Sequence, residues 1–358
     1  MTIYDTEQIK SFLGLRQIKS NDDFKAVETM STDTAIKFKK YVEYLGNKDE
    51  NIDDLLKRFN DYFEKENDSK LNSREQLYWL AIHGVTISDK RSAIDFLTKR
   101  NYFYKIIQYV KYFPEEIDDF NQLIDLSTID MELRYVILKA ALDVEHAIKT
   151  FLSRIITNSE EHDGYQIVTD VFNCKAEDNF KEKIFSPFGR YKDGYFKIDD
   201  DCKEIYDHPS FWFVIENTTL GKITPFVIYL SQIRPQNKTL KSIKSSIYSI
   251  SKLRNKAAHS NGILNEDIKK LENTVGTDSY MYQALLRDNF NRELLKTPLL
   301  VQISILIYLH RELTSEKMHI HRMDELKDVA QRSKRIRYKT GSTIDRFISD
   351  LNLLLTKK

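Results

Sequence analysis

Arg254, Asn255 and His259 fall in the stretch LRNKAAHSNG (253–262), and their types fit one chemistry. A histidine that titrates near neutrality can take a proton from a ribose 2′-hydroxyl or return one to a leaving 5′-oxygen. An arginine keeps its charge and can grip a phosphate through two parallel N–H donors. Together they are the parts of a metal-free RNA cleavage, in which the charge gathering on the phosphoryl oxygens must be held while protons move. Asn255 stands four residues before His259, on the same helical face, where it can orient the pair.

These residues need a helix to position them, and the spacing predicts one over 239–260. Leu240, Ile243, Ile247, Ile250 and Ala257 lie within about 60° of their mean direction on a helical wheel. Arg254 falls inside that stripe, about 20° from Ile243. A charge on an apolar face is costly unless paired and hydrogen-bonded, so Arg254 requires a carboxylate partner or a place at an interface. Glu145 and Glu216 are the candidate carboxylates. Glu145 belongs to a second helix, expected from Asp130 to Thr157 with Asp130 as its cap. It sits at the margin of the stripe of Leu133, Ile137, Ala141, Val144, Ile148, Phe151 and Ile155, about 80° from Ile137. Asn261-Gly262 is a helix-stop signal. It puts His259 in the last turn, where the dipole favours its charged form. By spacing alone R-x-x-x-x-H is a weak pattern, and two readings stay open. Either Arg254 and His259 are a structural ion pair and a capping histidine, or they are a reactive pair.

The rest of the chain is read for what surrounds this helix. With 358 residues, ten glycines and six prolines, it reads as an all-α protein of two or three lobes. Two cysteines, Cys174 and Cys202, are too few for a disulfide framework and lack metal-ligand spacing; a reduced cytoplasmic setting is expected. The N-terminus has no apolar signal region, and 297–313 is too short and too interrupted to span a membrane, so a buried helix is expected there. The expected organisation is an N-terminal helical extension (1–70), a helical lobe (71–128), the domain carrying the motif (129–313), then a basic segment with a C-terminal amphipathic helix (314–358). Within the second lobe, Ser73 with Gln76 reads as a capping box and Gly84 as a helix stop. In HPSFWFVIENTTLGKITPFVIYL (208–230), two short helices are expected around Gly221, the second opened by Thr224-Pro225.

The stretch LRNKAAHSNG resembles the signature of the HEPN superfamily, an arginine, a polar residue, three variable residues and a histidine, carried by Arg254, Asn255 and His259. Its surroundings are similar to the Abi family of abortive-infection proteins, the AbiD/AbiF group. The resemblance runs through REQLYWLAIHGVTISDKRSAIDFLTKRNYFYKIIQY (74–109), DMELRYVILKAALDVEHAIKTFL (130–152), HPSFWFVIENTTLGKITPFVIYL (208–230) and LRNKAAHSNGIL (253–264). It implies a HEPN-type helical bundle acting as a metal-independent endoribonuclease in phage defence. HEPN sites usually join two such motifs across an interface, and this chain has one. The resemblance therefore implies a homodimer with Arg254 and His259 from each protomer, Asn255 as orienter and Glu145 as a partner of Arg254. It also raises a bound non-coding RNA, held by a non-cleaving homodimer in the alternative reading.

Three further features bear on partners. QRSKRIRYKTG (331–341) carries Arg332, Lys334, Arg335, Arg337 and Lys339 with no acid, a segregation suited to RNA phosphates. SPFGRYKDGYFK (186–197), a hairpin or long loop, mixes aromatics with cations and is a weaker RNA candidate. His310, His319 and His321 raise a metal site, but no nearby cysteine or carboxylate set completes it, so His319 and His321 read as a surface pair. No glycine-rich phosphate loop, GxSxG elbow or HExxH occurs. The chemistry expected calls for no cofactor and no metal, and neither DNA nor a membrane is an expected partner.

Overall fold

The computed structural model describes residues 71–101, 103–160, 163–175, 178–192, 195–259, 262–271, 279–334 and 338–356, together with Lys37, Tyr41 and Phe59. The sequence-predicted extension over 1–70 therefore lies, but for those three residues, outside the described residues. The fold is all-α: among the described residues the sheet structure is one two-stranded hairpin. The chain forms two compact units, 1–127 and 128–358.

In the first unit, α1 (Ser73–Ile82), α2 (Lys90–Lys99) and α3 (Phe103–Tyr112) bury Leu77, Tyr78, Phe96, Ile106 and Tyr109. The box that opens α1 is one residue earlier than predicted. Asn72 accepts from the Arg74 and Glu75 N–H groups, and Glu75 accepts from the Asn72 N–H at 2.8 Å. Gly84 ends the helix with φ +88°, a conformation glycine adopts without strain. Asp89 caps α2 through the Arg91 and Ser92 N–H groups.

Helix α4 runs from Phe120 to Thr157, ten residues longer at its start than the stripe suggested. Its opening signal is upstream of Asp130. Asp119 accepts from the Asn121 N–H at 2.7 Å, and the Gln122 side chain accepts from the Asp118 N–H at 3.0 Å.

The second unit continues through α5 (Gln166–Cys174), α6 (Phe180–Phe185), the hairpin β1 (Gly189–Lys192) and β2 (Tyr195–Ile198), α7 (Lys203–Asp207), α8 (Phe211–Glu216), α9 (Leu220–Ile233) and α10 (Lys238–Ala258). It closes with α11 (Tyr280–Arg287), α12 (Pro298–Leu313), α13 (Glu316–Ser333) and α14 (Thr343–Thr356). Helix α9 begins at Leu220, after Asn217–Thr219, so the break precedes Gly221 and Pro225 lies inside the helix. Pro225 removes one intrahelical donor, and the carbonyl its ring crowds belongs to a residue without a side chain, Gly221. Helix α10 packs between α9 and α12. The apolar run of α12 is core, with Leu299, Leu300, Ile303, Ile307 and Leu309 buried. Among the described residues no helix is long and apolar enough to cross a membrane.

Candidate active site

Helix α10 is built to present its C-terminal end. Asn237 caps it by accepting the Leu240 N–H at 3.0 Å, and Leu240, Ile243, Ile247, Ile250, Leu253 and Ala257 bury its inner face. Arg254 lies within that face with its side chain 20% exposed. Its Nη2 donates to Glu145 Oε2 at 3.2 Å and its Nη1 to Asn255 Oδ1 at 2.7 Å. Glu145 is shared, because Lys149 Nζ stands 3.7 Å from its other oxygen and also reaches the Glu216 carbonyl at 3.5 Å. Of the two candidate carboxylates, then, Glu145 takes Arg254, and Glu216 contributes only its backbone. A guanidinium has five N–H donors. Two of Arg254's are engaged here, and its Nε is buried with no hydrogen-bond partner among the described residues.

His259 is the C-cap residue of α10, at φ −80° and ψ 14°, and donates its backbone N–H to the Asn255 carbonyl at 3.0 Å. Its ring is exposed. Asn261, half of the predicted stop signal, lies outside the described residues, and Gly262 does not adopt a positive φ. The chain just past the helix is held by Asp130, a residue whose type and place in the sequence suggested a cap. Asp130, fully buried, accepts the Ile263 and Leu264 N–H groups at 2.7 and 2.9 Å. Arg134, one turn along α4, pairs with Asp130 at 3.5 Å and donates Nη1 to the Ala257 carbonyl at 3.1 Å. Thus α4 grips the end of α10 on both sides of His259. The Asp130/Arg134 spacing of four residues was visible in the sequence; its partners, more than 120 residues away, were not.

The remaining sequence-predicted residues are not gathered at this site by any contact described. Arg332 is in the last turn of α13 and pairs with Glu132 at 3.2 Å. Lys334 and Lys339 are exposed, and Arg335 and Arg337 lie outside the described residues. Among the described residues no group of histidines, cysteines and carboxylates is placed to hold a metal. The histidine reading needs one correction: His310 is wholly buried, its Nδ1 3.2 Å from His319 Nδ1 and its Nε2 3.2 Å from Asp143 Oδ2. His319 is therefore tied into a polar cluster with His310 rather than forming a surface pair with His321.

Compared with known proteins, residues 95–265 match the family model described as Abi-like protein. The central segment is similar to that family. No curated protein and no solved structure matches the chain. The matched segment carries Arg254, Asn255 and His259 with Glu145, Asp130 and Arg134, and it stops short of the basic segment after 331.

Proposed function

We propose that this chain is a metal-independent HEPN endoribonuclease of an anti-phage abortive-infection system, working in the cytoplasm as a homodimer. The family match supports the defence setting. The observation that carries the catalytic reading is the end of α10. There a charged arginine is braced by Glu145 and Asn255, five residues before an exposed histidine whose ring has no hydrogen-bond or ion-pair partner among the described residues. In this reading the histidines of the site take the proton of the attacking 2′-hydroxyl and give one to the 5′-oxygen as the P–O5′ bond breaks, leaving a 2′,3′-cyclic phosphate and a 5′-hydroxyl end. Arg254 holds the phosphoryl oxygens with the N–H groups that Glu145 and Asn255 leave free. Glu145 and Asn255 are positioning residues.

The homodimer is supported by the surface next to this site. The chain has one R-x-x-x-x-H motif, and α4 exposes Met131 (37%), Tyr135 (53%) and Leu142 (48%). With half-buried Leu138 they follow helical spacing on the helix that also carries Glu145. Large apolar side chains in an open row mark a contact surface. A small structured RNA bound through Lys334, Lys339 and their neighbours would complete the assembly. The test is purified protein on single-stranded RNA in EDTA. Cleavage to cyclic-phosphate ends is expected, with a loss of at least a hundredfold in His259→Ala, the scale of a general acid–base. Equal activity in wild type and His259→Ala would sink the catalytic reading, and RNA that co-purifies without being cut would favour a binding protein.

A further inference from the structure

The hairpin β1–β2 carries a face that nothing in its own fold explains. The strands are antiparallel with Arg190 opposite Lys197 and Lys192 opposite Tyr195. Side chains alternate across a strand, so Arg190, Lys192, Tyr195 and Lys197 share one face, and Tyr191, Phe196 and Ile198 the other. The second face is the anchor. The Phe196 ring lies 5.2 Å from that of Tyr191 and 6.0 Å from that of Tyr206, which stands 5.0 Å from buried Phe185. A side chain at Gly189 would collide with Phe196, at 2.6 Å, so the ring seals the base of the hairpin.

The first face does none of this. Its four side chains are all exposed, Tyr195 to 80%, and Tyr195 has no ring contact among the described residues. Like charges directly opposite on a ladder destabilise it, and Arg190 with Lys197 is such a pair. Asp199 offers Arg190 only a 3.8 Å contact between two largely exposed groups, which is worth little. Between Ser186 and Ile198 the chain has three cations and one acid, Asp193. An inner face anchored by aromatic contacts, a row of cations held together at a cost and an open aromatic ring among them match a ligand with phosphates and an accessible base face. Single-stranded nucleic acid binds through that combination, cations along the backbone and aromatics under the bases.

We propose that the outer face of the β1–β2 hairpin binds single-stranded nucleic acid, with its phosphates on Arg190, Lys192 and Lys197 and a base stacked on Tyr195. The inference rests on the nuclease reading only in making RNA the strand met in the cell. Stacking and phosphate pairing do not consult the 2′-hydroxyl, so RNA and DNA strands bind this face alike, and RNA selectivity belongs to the chemistry at His259.

The experiment is fluorescence anisotropy of short labelled oligouridylate and oligodeoxythymidylate with the full chain carrying His259→Ala, so that nothing is cut. Tyr195→Ala is expected to weaken both roughly tenfold. Replacing Arg190, Lys192 and Lys197 by Ala is expected to flatten the dependence of log affinity on log salt by about 2, at roughly 0.7 per cation. Lys197→Glu turns the like-charge pair into an opposite one, so it should keep or raise Tm while weakening binding; that separates lost contact from lost fold. Unchanged affinity in Tyr195→Ala overturns the inference. So does a triple variant that loses phosphatidylserine vesicles as strongly as oligonucleotides. Hairpin-dependent binding in a chain that cuts no RNA leaves this inference standing and removes the nuclease. Cleavage with hairpin-independent binding does the reverse.

Discussion

Asp130 and Arg134 hold the end of α10 from inside the second unit, and their worth can be measured. Removing one partner of a buried ion pair leaves the other charge desolvated and unmatched. Asp130→Ala also strips the Ile263 and Leu264 N–H groups of their acceptor. A loss of about 3–5 kcal/mol is expected in denaturant unfolding. Asp130→Asn keeps an acceptor oxygen and should lose less; equal losses would mean that the charge, which both variants remove, carries the whole effect. The same pair shows where sequence reasoning stopped. Aspartate favours helix caps, so a local reading placed Asp130 at a helix start, whereas its partners lie 133 and 134 residues away. Arg254 was legible for the opposite reason. A charge inside its own helix's apolar stripe demands a carboxylate whatever the fold, and Glu145 was one of two available.

At the scale of elements, the periodic stripes of α4, α10 and α14 were legible because burial of one face follows directly from helical period, and α12 because its run is apolar throughout. Their ends were less so. The true start of α4 rests on Asp119 and Gln122, ahead of the stripe, and α9 begins at Leu220 because a first-turn proline is favoured but not required. The exposed side of α4 is testable apart from any activity. Met131, Tyr135, Leu138 and Leu142 form the open row of the proposed homodimer, so a carboxylate in the middle of it places a charge in the apolar contact. Tyr135→Glu with Leu142→Glu is expected to give monomers by light scattering, with Tm close to wild type because both positions are exposed. A variant that stays dimeric shows that the copies meet elsewhere.

At the scale of the whole molecule, the second unit contains a device that makes its stability depend on pH through histidine rather than carboxylate. His310 on α12 is wholly buried between Asp143 of α4 and His319 of α13, and Arg322 reaches the same Asp143 at 2.9 Å. The two Nδ1 atoms face each other at 3.2 Å, so at least one must be unprotonated to accept. Burial, with His310 beside it and Arg311 and Lys327 nearby, pushes the His319 pKa down to about 4. Burial also lowers that of His310, against the pull of Asp143. The folded pKa lies below the ordinary value near 6.5, so between those limits the unfolded chain binds more protons. Stability is then full above about pH 6.5 and falls as pH drops toward 4. Carboxylates whose pKa values are lowered, such as Glu325, begin below the ordinary value of 4.5, so they leave the upper part of this window to histidine. Thermal unfolding at pH 7 and pH 5 is expected to show a clear fall in Tm for the wild type and a smaller fall for His319→Gln, which cannot take the extra proton. An equal fall in both proteins would mean that the cluster relaxes to admit the charge, and that other histidines carry the pH dependence.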